Sequence, residues 1–204
     1  MTPHESNTRV RCAAVYETFK HHEPWFGLEQ EYTFFQGFLP LGWPINGFPA
    51  PQGMYYCGVG ADVAFGRAYA DRHLELCVDA GLGITGINSE VMPGQWEFQL
   101  FAKDPLTVGD QMWVARWILE RVVEPHGIHI SYHPKPMKGD WNGAGCHSNF
   151  STKHMREGWD AIIKACEALG KRHDLHIANY GADIEQRLTG HHETCSYKVF
   201  KYSL

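Results

Sequence analysis

Two hydrophobic periods divide the chain. From Leu106 to Val123, apolar residues recur every three to four positions. Val108, Met112, Ala115, Leu119 and Val122 share one stripe, which predicts an amphipathic helix. A second helix is expected from a cap at Asp62 to about Ala80, with Phe65, Tyr69, Leu76 and Ala80 on one face and Gly81-Leu82-Gly83 ending it. Shorter helices are expected over Arg9–His21, Gly158–Lys171 and Ile184–Leu188. The first is broken at Glu23-Pro24, because a residue before proline disfavours the helical region. Strands are predicted over Trp25–Phe35, which is rich in aromatics, and over Ile84–Val91, Gln95–Phe101, Ile128–Tyr132 and Gly145–Phe150. Leu39–Gly60, with Pro40, Pro44, Pro49 and Pro51, reads as a long ordered loop or a set of short strands, and loops of that length are often functional. Strand pairs separated by helices without a regular βαβ beat predict an α+β class with a largely antiparallel sheet.

Composition narrows the picture. A chain of 204 residues that is 44% hydrophobic can build one sizeable core. A net charge of −5 with 20% charged residues points away from nucleic acid and anionic membranes as partners. No apolar run approaches the ~18 residues of a transmembrane helix, so no membrane span is expected. The opening Met1-Thr2-Pro3-His4-Glu5 lacks the basic-then-apolar order of a signal peptide. Cys12, Cys57, Cys77, Cys146, Cys166 and Cys195 form no CxxC pair, which argues against a zinc ribbon. Their scatter suits free thiols in a reducing, cytoplasmic compartment. With 13 histidines present, one becomes a ligand candidate only beside carboxylates.

Candidate chemistry lies in separate stretches. Glu29 and Glu31, in Gly27-Leu28-Glu29-Gln30-Glu31-Tyr32, point to one face if this is a strand. Two such carboxylates repel unless a cation lies between them; the alternative is a solvated strand face. Glu90 ends one strand and Glu97 lies in the next, across the turn signal Pro93-Gly94, with Gln95 and Gln99 on its face. They approach each other in a hairpin, or stand as exposed glutamates on it. Gly139 to Ser151 combines Asn142-Gly143 and Gly145, whose backbone allows close approach by a ligand, with His147. Four acids and one imidazole would make a hard-cation site for Mg²⁺ or Mn²⁺ rather than zinc. Arg187 can hold a carboxylate in a bidentate fork, and Glu193 sits in a glycine-containing loop.

These stretches together resemble glutamine synthetase of the eukaryotic-like type II, also found in some actinobacteria. The resemblance is carried by Trp25 to Tyr32, Pro51 to Gly60, Asn88 to Phe98, Lys135-Pro136, Trp141 to Thr152, and Arg187-Leu188-Thr189-Gly190 to Glu193, in unbroken order over nearly the whole chain. It implies a catalytic domain with a curved, largely antiparallel sheet flanked by helices. It implies an ATP-dependent ligation of ammonia to glutamate through γ-glutamyl phosphate, with two or three Mg²⁺ or Mn²⁺ ions. Glu31, Glu90 and Glu97 match ligands of the first ion; Glu29 and His147 match ligands of the second, beside the nucleotide phosphates. Asp140, Trp141, Asn142, Gly143, Gly145 and Arg187 match the glutamate-binding residues. Trp25, Glu29, Glu97, Phe98, Gln99, Asn149, Phe150 and Ser151 match nucleotide contacts. Glu193, a catalytic candidate with Arg187, matches the flap glutamate that shields the intermediate.

The resemblance also sets limits. Residues 1–22 match a connecting segment with a short helix, and 23–204 a partial catalytic domain. The family's N-terminal β-grasp domain and its last, arginine-rich strand have no counterpart here. The family forms homo-oligomeric rings with sites between subunits, an assembly in doubt for this chain, and weak turnover in isolation is the expectation. The rivals are a catalytically silent homologue and a ligase joining another amine to glutamate. A metal-dependent hydrolase of unrelated fold explains the carboxylates but not the ordered motifs.

Overall fold

A computed structural model describes residues 2–192 and 194–202. In chain order the elements are α1 (Thr8–Phe19), β1 (Trp25–Gln36), β2 (Leu39–Pro40), α2 (Arg67–Asp79), β3 (Ile84–Ser89), β4 (Gln95–Ala102), α3 (Pro105–Val123), β5 (Ile128–Ser131), β6 (Cys146–Ser151), α4 (Lys153–Glu157), α5 (Trp159–Gly170), α6 (His173–Tyr180) and α7 (Ile184–Arg187).

β1 organises the sheet. β4 pairs with it along Phe26–Thr33 and β6 along Trp25–Gln30, so the two lie on its opposite edges. β5 pairs with Thr33–Gln36, β2 folds back on Phe35 and Gln36, and β3 pairs with β4. Every pairing is antiparallel, and with the helices this is the α+β architecture expected from the sequence.

The two faces divide by chemistry. One carries Tyr32, Phe34, Trp96, Phe98 and Leu100, packed under α2 and α3 against Ala70, Cys77, Val108, Met112, Ala115 and Leu119. Burial of each large side chain contributes roughly 1.5–3 kcal/mol, which holds the helical layer on this face. Asp104 caps α3, accepting from the Thr107 amide at 2.7 Å, with Pro105 preset for the first turn. The other face carries the carboxylates described below.

The structure differs from the sequence expectation in several places. α2 begins at Arg67, not at Asp62, because Gly60 to Gly66 turns instead: the amides of Val63 and Ala64 both bond the Gly60 carbonyl. Gly66 sits at φ 88°, and a β-carbon there would stand 2.6 Å from the Phe34 ring, so the chain can enter the helix only through a glycine. The strand expected to reach Val91 stops at Ser89. β6 starts at Cys146 rather than Gly145. α6 was not expected, and none of its residues is buried, so no apolar stripe marks it. Leu39–Gly60 forms only β2 and turns, pinned to the end of β3 by Cys57 N–H to Ser89 O at 2.9 Å and Ser89 Oγ to Tyr55 O at 3.0 Å.

α1 lies on the outside and buries none of its residues. It meets α3 through a bidentate, exposed Arg9–Asp110 pair at 2.8 Å. Such pairs contribute little to stability. Among the described residues, no helix is long and apolar enough to cross a membrane.

Candidate active site

Strand register brings the acids together. Glu31 is the direct partner of Glu97 across β1–β4, and Glu29 is the direct partner of His147 across β1–β6. Directly opposed residues in an antiparallel pair project to the same face. Glu90 follows β3, turned inward by Asn88 Nδ2 donating to its Oε1 at 3.1 Å and the Val91 amide donating to its Oε2 at 3.1 Å. As a result Glu31, Glu90 and Glu97 each offer an oxygen within 4.8 Å of the others, and Glu29, Glu97 and His147 do the same. Glu97 belongs to both groups.

These acids are crowded and dry. Glu31, Glu90 and Glu97 are buried, whereas Glu29 is half-buried and His147 exposed. Burial pushes the Glu90 carboxyl up to about 8, reinforced by the charges of Glu31 and Glu97. Burial also raises Glu31 and Glu97 above the usual carboxylate range. Three mutually repelling oxygen ligands with an adjacent carboxylate–imidazole set fit hard divalent cations such as Mg²⁺ or Mn²⁺. The cluster opens into a cavity of about 160 Å³ that is also lined by Asn142, Gly143, Arg187 and His192.

The glycine-rich stretch forms one wall. The Asn142 amide donates to Gln52 Oε1 at 2.6 Å, and Gln95 Nε2 donates to the Gly143 carbonyl at 2.7 Å. The Gly145 amide donates to the Glu31 carboxylate. Arg187 packs on this wall: β-carbons added at Gly143 and Gly145 would meet its side chain at 2.9 and 2.6 Å. Its Nη2 lies 2.9 Å from His147 Nε2. The other ring nitrogen of His147, Nδ1, lies 3.5 Å from Glu29 Oε2. Trp141 packs against Trp43 with centroids 4.6 Å apart and the rings tilted by 54°. Asp140 is fully exposed and meets His192 Nε2 at 3.1 Å.

The residues expected at a nucleotide are more dispersed. Asn149 Nδ2 donates to Glu29 Oε1 at 2.5 Å, and Gln99 Nε2 donates to Glu97 and, at 2.7 Å, to Asn88 Oδ1. Trp25 lies beneath the Arg156 guanidinium, 4.0 Å from its ring centre. Ser151 Oγ accepts from Arg156 at 3.0 Å, whereas Phe150, exposed and paired with Phe26, lies on the opposite face of the sheet from Ser151 and the carboxylates. Phe98 stands apart, fully buried in the core on the opposite face of the sheet from the carboxylates. Glu193 lies outside the described residues.

Gln52, Tyr56 and Thr194 had been given no role, yet each borders the cavity or holds its wall. Tyr56 and Gln52 lie within the Pro51–Gly60 stretch that carried the resemblance, but no spacing rule connects that loop to β3.

The family model described as glutamine synthetase, catalytic domain, matches residues 50–172. A glutamine synthetase of Streptomyces hygroscopicus is 58% identical over 99% of this chain and 60% of its own length. One of Streptomyces viridochromogenes is 58% identical over 100% of this chain and 60% of its own. A cytosolic glutamine synthetase isozyme of Medicago sativa is 57% identical over 99% and 58%. The chain thus spans about 60% of the length of the curated relatives it matches.

Proposed function

The chain belongs to the glutamine synthetase family, and on that premise we propose that it acts in ATP-dependent ligation of ammonia to glutamate. The observation that carries this reading is the gathering of Glu29, Glu31, Glu90, Glu97 and His147 into two ligand groups that share Glu97. Glu31, Glu90 and Glu97 would hold one divalent cation; Glu29, Glu97 and His147 would hold another. Bound there, Mg²⁺ or Mn²⁺ supplies positive charge that offsets the build-up on a transferring phosphoryl group.

The chemistry runs in two displacements. A γ-carboxylate oxygen of glutamate attacks the terminal phosphorus of ATP, the bond to ADP breaks, and γ-glutamyl phosphate forms. The nitrogen of ammonia then attacks the acyl carbon, phosphate leaves with the C–O bonding pair, and the amine loses a proton. Arg187 is assigned to a carboxylate of glutamate, for which it is a bidentate partner. Asn142, Gly143 and Gly145 are assigned to the wall against which that substrate lies, with Asp140 and Trp141 flanking. Trp25, Gln99, Asn149 and Ser151 are assigned to the nucleotide side, and Glu193 to the protection of the acyl phosphate from water. The described cysteines are all free, which fits a reducing compartment such as the cytoplasm.

The test is glutamine formation by the purified chain with ATP, glutamate, ammonium and Mn²⁺. The expected result is product that requires all four, at any measurable rate, and falls more than about a hundredfold in Glu97→Gln, as loss of transition-state electrostatics does. A chain that neither binds Mn²⁺ nor forms glutamine would assign it to a silent branch of the family. Product with another amine but not with ammonium would assign it to a related γ-glutamyl ligase.

A further inference from the structure

Gln30 lies between two cluster acids in sequence but points to the opposite face of the sheet. It is only 3% exposed, so its amide atoms must find partners within the protein. Its Nε2 donates to the Glu31 carbonyl at 2.7 Å and to the Gly145 carbonyl at 3.2 Å. Its Oε1 accepts from Arg116 Nε at 2.9 Å and also from Arg116 Nη2. Arg116 reaches there from α3, half-buried, with its guanidinium over the Tyr132 ring at 5.3 Å.

Gly145 carries this network through to the site. Its carbonyl accepts from the Glu31 amide at 2.9 Å, and its own amide donates to the Glu31 carboxylate. The next residues are β6, which places His147 opposite Glu29. A continuous chain of hydrogen bonds therefore runs from α3, through the sheet, to the oxygen of a cluster acid. It also sets the point from which the imidazole strand departs.

We propose that Gln30 and Arg116 are positioning residues for the divalent-cation site. They hold Gly145, and through it the Glu31 carboxylate and the start of β6, from the opposite face of the sheet, where Gln30 and Arg116 line a separate cavity of about 560 Å³. This rests on the reading of the carboxylate cluster as a cation site. Groups that orient ligands from outside the coordination sphere commonly change metal affinity by 10–100-fold when removed.

The test is Mn²⁺ binding by the full chain, followed by electron paramagnetic resonance, with thermal unfolding measured alongside. Gln30→Glu keeps the acceptor for Arg116 but loses the donors to Gly145 and Glu31. Gln30→Leu and Arg116→Met remove the contacts outright, and Arg116→Lys restores the charge without the fork. Gln30→Glu is expected to stay folded, bind Mn²⁺ about tenfold more weakly, and alter the zero-field splitting of the bound ion. Arg116→Lys is expected to recover part of what Arg116→Met loses. Affinity and spectrum unchanged in folded Gln30→Glu, or Arg116→Met variants that lose stability without losing affinity, would overturn the proposal alone. Failure of the parent chain to bind Mn²⁺ would overturn the cation reading and this proposal together.

Discussion

Glu31 and Glu97 stand directly opposite each other across the β1–β4 ladder, both buried, with carboxylate oxygens within 4.8 Å. Like charges in that position oppose folding unless something neutralises them. Glu97→Gln should therefore act in two directions. It should raise the melting temperature of the metal-free chain by about 2–4 °C for each kcal/mol of repulsion removed. It should also weaken Mn²⁺ binding by at least about tenfold. Calorimetry and a Mn²⁺ titration of the same preparation check both; a variant that loses stability and keeps its affinity would assign Glu97 to packing instead.

Glu90 makes the metal-free protein sensitive to pH in a defined direction. Its folded-state value is pushed up to about 8, above the ordinary carboxyl value of 4.5 that it regains on unfolding. Between those values the folded state binds more protons than the unfolded state, so stability falls as pH rises. The contribution is fully present below about 4.5 and gone above about 8. Melting temperatures measured from pH 5 to 8.5 should decline in the metal-free parent and decline less in Glu90→Gln. Saturating Mn²⁺ should flatten the parent's curve, because cation binding favours the ionised form. His73, buried and held down to about 4, works in the opposite sense and costs stability as pH falls from about 6.5 toward 4. Its effect should be the same in both proteins.

Gly145→Ala tests the wall beneath Arg187. Gly145 needs no unusual backbone angle, but a new β-carbon would sit 2.6 Å from the Arg187 guanidinium carbon. The arginine must swing away, since the backbone cannot. The fold should persist, with an unchanged far-ultraviolet circular dichroism spectrum. Glutamate affinity should drop by about tenfold, on the order of 1.4 kcal/mol. Unchanged affinity would remove Arg187 from the glutamate site.

Thiol reactivity should follow burial. Cys57 and Cys195 are exposed, whereas Cys77 is fully buried and pushed up to about 11 by that burial. Maleimide labelling read by mass spectrometry should modify Cys57 and Cys195 first and leave Cys77 unmodified until the chain is denatured. Early labelling of Cys77 would mean that α2 opens readily from α3.

Much of this was legible in the sequence, for physical reasons that differ by element. α3 could be read from its stripe, because a helix that covers a sheet must present an apolar face at period 3.6. Glu29 and Glu31 could be placed on one face because strand alternation is local. Their meeting with Glu97 and His147 was not legible from alternation, since pairing register is a long-range property; only the ordered motifs pointed to it. The entry to α2 was misplaced because Asp62 is a good cap, while the reason for a later start is the Phe34 ring against Gly66, a contact between distant residues. α6 carried no apolar stripe to read. The Arg116–Gln30 contact likewise joins α3 to β1 across 86 positions, beyond any sequence pattern.

The most direct measurement is anomalous diffraction at the manganese edge from crystals of the chain grown with Mn²⁺ and a nucleotide. The account predicts peaks between the carboxylates of Glu31, Glu90 and Glu97 and between Glu29, Glu97 and His147. A well-ordered site without manganese at either position, or manganese bound only elsewhere, would contradict it.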